Sequence, residues 1–168
     1  MEVYKSEPPA KRTTDRIKVG IADFAVGDEE SHLSTSGLGS CVGIALYDQW
    51  AGVAGLAHAM LPDGTGKSDD AKYVDTAIEA LIAAMEAEGA ASRRLRAKLA
   101  GGSTMFEFES TDVSVGDRNV EAAHDALAEL GVPVVAEDVG GEHGRSLELD
   151  GSTGDLRVRS AAAGEHTL

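Results

Sequence analysis

Val42-Gly-Ile-Ala-Leu-Tyr-Asp48 and, after a four-residue gap, Val53-Ala-Gly-Leu-Ala-His-Ala-Met60 decide how this chain folds. In the first run Val42, Ile44 and Leu46 alternate with Gly43, Ala45 and Tyr47, the period-two pattern of a strand. Residues 48–52 supply a turn, so the second run reads as the returning strand of a hairpin. Working outward, residues 17–26 also carry period-two stretches and read as a first strand. Residues 33–36 are extended and lead into the turn Gly37-Leu-Gly39. Downstream, Asp69 or Asp70 caps a helix running to about Glu88, with Val74, Ile78, Leu81, Ile82 and Met85 on one face and Gly89 as the stop. Residues 95–100 and 105–108 read as strands. A second helix begins at Asp117, with Val120, Ala123, Leu127 and Leu130 inward and Gly131 at its end. Residues 132–138 form another strand, and 147–150 with 155–159 form a hairpin. Many strands and two helices in mixed order indicate an α+β fold in a single domain. Its expected limits are 17–160, with flexible tails at 1–16 and 161–168.

The 168 residues suit one domain, and 42% of them are hydrophobic. Only 4% are aromatic, so the core is built from Val, Leu, Ile and Ala. No apolar run approaches the roughly 18 residues of a membrane span, and the polar N-terminus lacks the apolar stretch of a signal peptide. A cytoplasmic location is expected. The formal charge of −14, from 29 acidic and 15 basic side chains, repels nucleic-acid backbones and anionic membranes, so neither is an expected partner. With only six lysines, the acidic excess also suits a high-salt cytoplasm. Salt would then screen the self-repulsion, and the melting temperature should rise between low and molar salt. One cysteine, Cys41, excludes an internal disulfide and any multi-cysteine metal site.

Three stretches carry chemical signals. Gly64-Thr-Gly-Lys-Ser68 resembles the end of a phosphate-binding loop, but the glycine required five positions before Gly66 is Leu61. An exposed loop is the better reading. Gly39-Ser-Cys-Val-Gly43 fits a nucleophile elbow with Cys in the serine's place, yet a strand follows it where an elbow requires a helix. What survives is a nucleophile on a glycine-flanked turn. Substrate can approach it closely, and backbone N–H groups around Gly39, Ser40 and Cys41 are left to face an oxyanion. The third signal is Cys41 with His58, 17 residues apart on the two arms of the hairpin. An imidazole near a thiol takes its proton and returns it to a leaving group. A buried thiol beside a core histidine is the competing reading. His143 is a rival for the base. His124 is expected on the second helix, His32 and His166 in loops or tails. A thiol redox sensor lacks a resolving cysteine.

Several segments resemble one family when taken together. Thr35-Ser-Gly-Leu-Gly-Ser-Cys-Val-Gly-Ile-Ala-Leu-Tyr-Asp48 and Gly55-Leu-Ala-His-Ala-Met-Leu-Pro62 resemble the chemoreceptor glutamine deamidase family CheD. So do Lys72-Tyr73, Ala100-Gly-Gly-Ser-Thr-Met-Phe106, Val115-Gly-Asp-Arg-Asn-Val120, Glu137-Asp-Val-Gly-Gly141, Gly144-Arg145 and Thr153-Gly-Asp-Leu-Arg-Val158. The resemblance implies a layered α/β/β domain with mixed sheets, similar to deamidating cytotoxic necrotizing factor toxins. It implies a cysteine hydrolase that converts receptor glutamines to glutamates through a thioester, with no metal or organic cofactor. The family's catalytic Cys, His and Thr match Cys41, His58 and Thr35, and Ser34, Ser36 and Ser40 offer neighbouring hydroxyls. Receptor cytoplasmic helices are the implied substrate, with the 61–70 loop and residues 101–106 as candidate groove walls. The alternative implied function is that of a non-catalytic partner of a CheC-type response-regulator phosphatase.

Overall fold

The hairpin at 42–60 forms, and its two strands lie at the middle of a sheet. The computed structural model describes residues 15–64, 69–104 and 114–168. Ten strands are described: β1 (Asp15–Lys18), β2 (Asp23–Asp28), β3 (Ser31–Leu38), β4 (Val42–Asp48), β5 (Val53–Ala59), β6 (Arg96–Gly101), β7 (Val134–Val139), β8 (Arg145–Asp150), β9 (Leu156–Ser160) and β10 (Gly164–Thr167). Two α-helices accompany them, α1 (Val74–Ala87) and α2 (Val115–Glu129). The strands divide into two five-stranded sheets, an inner one ordered β2-β5-β4-β6-β7 and an outer one ordered β1-β3-β8-β9-β10. Both are mixed, because β1 pairs with β3 and β6 with β7 in parallel while the other pairs run antiparallel.

Two hydrophobic cores follow from the alternation within β4 and β5. Val42, Ile44 and Leu46 join Ala57 and Ala59 on one face and meet Ile78, Leu81 and Met85 of α1 with Leu127 of α2. On the opposite face, Ala45, Ala54 and Leu56 meet Leu33, Leu147, Leu149, Leu156 and Val158 of the outer sheet. The layers are therefore helices, inner sheet, outer sheet. That is the expected α/β/β arrangement. The buried stripe of α1 is Val74, Ala77, Ile78, Leu81, Ile82 and Met85, the spacing of one helical face. A 3-10 turn, Asp70–Lys72, precedes it.

Four expectations are corrected. Residues 17–26 are not one strand. The chain leaves the outer sheet after Lys18 and enters the inner sheet at Asp23, turning through Ala22 at φ 61°. Strand β1 begins at Asp15, the first described residue. Residues 161–168 are not a loose tail: β10 pairs with β9, and Leu168 exchanges backbone hydrogen bonds with Leu156. On α2 the inward set is Gly116, Asn119, Ala123 and Leu127, whereas Leu130 is 43% exposed. Ser114 caps that helix by accepting from the Asp117 amide. His32 and His166 stand on strands, the first 3.0 Å from Glu148 and the second 2.9 Å from Asp138. The tail at 1–14, most of the 64–68 loop and the strand expected at 105–108 lie outside the described residues. No described helix is long and apolar enough to cross a membrane.

Candidate active site

The pairing register brings the singled-out residues together. Gly43 of β4 stands opposite His58 of β5. Cys41 stands on the turn immediately before β4, two residues ahead of Gly43, at the end of the hairpin where His58 lies. Cys41 packs against the core between the two sheets. A Cβ on Gly43 would collide with Leu147 of the outer sheet. Leu147 thus packs against β4 beside His58 because position 43 carries no side chain.

His58 is fully buried, and its ring reaches across to the outer sheet. Thr35 Oγ1 on β3 lies 2.7 Å from His58 Nδ1 and donates to the Val19 carbonyl at 2.8 Å. A hydroxyl has one proton. With that proton on Val19, the 2.7 Å contact requires His58 Nδ1–H to donate to Thr35, which fixes the neutral tautomer by the hydrogen-bond network. The second nitrogen, Nε2, then carries a lone pair, and among the described residues it has no hydrogen-bond partner. The thiol of Cys41 is not yet bonded to it. Catalytic contacts of this kind are often long before substrate arrives. Of the nearby hydroxyls, Thr35 is the one that meets the imidazole.

Burial shifts both titrating groups toward neutrality. The Cys41 thiol is held above its ordinary value of 9.0, chiefly by desolvation and partly offset by its own backbone N–H. Desolvation holds His58 below its ordinary 6.5. The resting pair is therefore thiol and imidazole, not thiolate and imidazolium.

The turn bearing Cys41 is tied down at three successive carbonyls. Gly39 accepts from the Ser103 amide and Cys41 from the Gly102 amide, both at 2.8 Å. Ser40 accepts from Asn119 Nδ2 at 2.8 Å. Gly102 and Ser103 belong to the 101–106 segment expected as a groove wall; in the structure these two brace the nucleophile turn. Asn119 is not among the residues that the sequence singles out, though a polar residue on the inward face of α2 is a visible signal. His143 sits beside Gly141 in the 140–144 loop, and it is His58 that meets Thr35. His124 is half-exposed and pairs with Glu137 at 2.7 Å. A cavity of about 390 Å³ opens on the outer sheet, lined by Arg16, Lys18, His32, Arg157 and Arg159. It shares Thr35 with the site, but neither Cys41 nor His58 lines it.

A family model described as CheD chemotactic sensory transduction matches residues 60–160, more than half of the chain. The chain belongs to the CheD family. A protein of Haloarcula marismortui named probable chemoreceptor glutamine deamidase CheD is 48% identical over 173 aligned positions, with both chains covered in full. One of Halalkalibacterium halodurans, named chemoreceptor glutamine deamidase CheD, is 47% identical over 92% of this chain and 99% of its own. One of Pyrococcus abyssi, named probable chemoreceptor glutamine deamidase CheD, is 47% identical over 90% and 96% respectively. These matches to CheD proteins run over nearly the whole length, so the likeness takes in the segment with Thr35, Cys41 and His58 as well as the span from residue 60 onward.

Proposed function

We propose that this chain hydrolyses the side-chain carboxamide of chemoreceptor glutamines, with Cys41 as nucleophile, His58 as general base and acid, and Thr35 orienting the imidazole. The observation that carries the reading is the pair of bonds made by the Thr35 hydroxyl, since they leave the His58 lone pair on Nε2. The names of the relatives support chemoreceptor glutamine as the substrate class, and on this reading the enzyme acts on the cytoplasmic helices of receptors, in the cytoplasm.

The thiol proton passes to His58 Nε2 as sulfur attacks the glutamine Cδ, and the negative charge that develops on the amide oxygen faces backbone N–H groups of the 39–41 turn. The C–N bond then breaks, the His58 proton leaves with ammonia, and a thioester remains. Water attacks next, giving one proton to His58; the C–S bond breaks, and the thiol is restored as glutamate departs. Burial of the imidazole keeps it an unprotonated base below pH 6.5.

The test is ammonia release and the Gln-to-Glu mass change on a receptor cytoplasmic fragment. Cys41→Ala should abolish both while leaving the melting temperature near that of the wild type. Turnover persisting in Cys41→Ala would overturn the reading.

A further inference from the structure

We infer that Asn119 is a positioning residue which aims the Cys41 amide at the oxyanion and locks the nucleophile's segment to the base's segment. The inference rests on the acyl-transfer reading of the site. Asn119 lies in the second turn of α2 and is fully buried. Asparagine is a weak helix former, and a buried carboxamide is costly unless its donors are used. Both donors are used, Nδ2 donating to the Ser40 carbonyl at 2.8 Å and to the Met60 carbonyl at 2.9 Å, while Oδ1 is buried without a hydrogen-bond partner among the described residues. The flipped amide would set its oxygen against two carbonyls, so the orientation is fixed.

The two acceptors are what make the bond pair functional. Ser40 immediately precedes Cys41, and Met60 follows His58 by two residues. One nitrogen therefore clips together the chain segments that present the nucleophile and the base. A trans peptide is planar, with its C=O and N–H pointing in opposite directions. Drawing the Ser40 carbonyl toward α2 turns the Cys41 N–H away from the helix. That N–H belongs to the residue whose sulfur attacks, so the donor is carried beside the place where the oxyanion forms. Gly116 permits the arrangement, because a Cβ there would strike the carbonyls of Gly102 and Ser103. Only without it does α2 come close enough for Asn119 to reach.

The experiment separates aiming the amide from supporting the fold. Acylation of Cys41 by p-nitrophenyl acetate needs an oxyanion donor; alkylation by iodoacetamide does not. In Asn119→Leu, which keeps the branched shape and removes both N–H groups, the acylation rate should fall on the order of 10²–10³-fold. The alkylation rate, compared at equal thiolate fraction, should stay within about threefold of the wild type, since it needs no oxyanion donor. Asn119→Ser, whose short hydroxyl cannot span both carbonyls, serves the same comparison should the leucine variant fail to fold. Equal losses in both reactions, or no loss in either, would overturn the inference. So would a wild type that alkylates but does not acylate. A wild type that acylates normally yet releases no ammonia from a receptor fragment sinks the deamidase reading instead, and leaves Asn119 to be judged by the two rates.

Discussion

The two sheets have five strands each and opposite surroundings. In the inner sheet, β5 is buried at every position and β4 at all but Tyr47, because helices cover one face and the outer sheet covers the other. The outer sheet alternates, as in β8, where Arg145, Leu147 and Leu149 are buried and Ser146, Glu148 and Asp150 are only partly so. Its open face carries ion pairs such as Arg157 with Glu148 at 2.9 Å. A strand buried on both faces cannot slip by one residue without moving its whole apolar set into the wrong core. Cys41 and His58 ride on that sheet, whereas Thr35 comes from the sheet with a free face. His58, the proposed base, is therefore set by pairing register, Cys41, the proposed nucleophile, stands on the turn just before β4, and the Thr35 hydroxyl is set by how the two sheets pack.

The largest expected effect breaks the inner-sheet side. His58→Gln should lower kcat on the order of 10²–10⁴-fold, measured as ammonia release, with the fold retained. Next comes the contact between sheets. Leu147→Ala should cost about 2–5 kcal/mol in urea unfolding, as expected for a buried leucine. Gly43→Ala should cost about 1–3 kcal/mol by overpacking against Leu147. The two together should cost less than their sum, because each relieves the other's fault; strict additivity would show that the sheets do not meet at this point. Thr35→Val keeps the packing and loses the hydroxyl, so kcat should fall about tenfold, the worth of roughly 1–1.5 kcal/mol of hydrogen bond. Smallest of all, Arg157→Ala on the open face should change stability by no more than about 1 kcal/mol.

Acid sharpens the same contrast. The folded His58 titrates below its ordinary 6.5, so between the two values the unfolded chain binds the proton and the native one does not. Stability from this group is full above pH 6.5 and is lost as pH falls through that window. Urea midpoints measured from about pH 7 to about pH 5 should decline more steeply in the wild type than in His58→Gln. Asp48 adds a second acid-sensitive tie. Burial alone would raise it, but bonds from Arg94 and the Ala91 and Ala51 amides together hold it below its usual range. Its contribution is lost only at lower pH, as the lowered carboxyl is protonated.

What the sequence makes legible is local. The hairpin at 42–60 shows because alternation and turn agree; it brings Cys41 and His58 to one end of the sheet, but the segments around them, taken together, are what single out the pair. The break inside 17–26 does not show, because both halves alternate in the same way and the switch of sheets needs only the short path through Ala22. Strand β10 is exposed at every position and has no apolar pattern to read; its pairing with β9 makes it a strand. Asn119 stands among apolar residues at helical spacing, where the neighbouring Val120 is the more obvious inward side chain. Its role lies in which carbonyls it meets, and those are 59 and 79 residues away.

The short crossover between β1 and β2 acts on the site through main-chain atoms alone. The Val19 carbonyl takes the Thr35 proton, and the Ala22 amide donates to the His58 carbonyl at 2.9 Å. Alanine scanning is blind to such a device, since truncating these side chains leaves both main-chain hydrogen bonds in place. Two chains could share no crossover side chain and still keep the proton on the same ring nitrogen. Only an edit to the chain path, such as a proline that removes the Ala22 N–H or one inserted residue, would reveal that the direction of the base is encoded there.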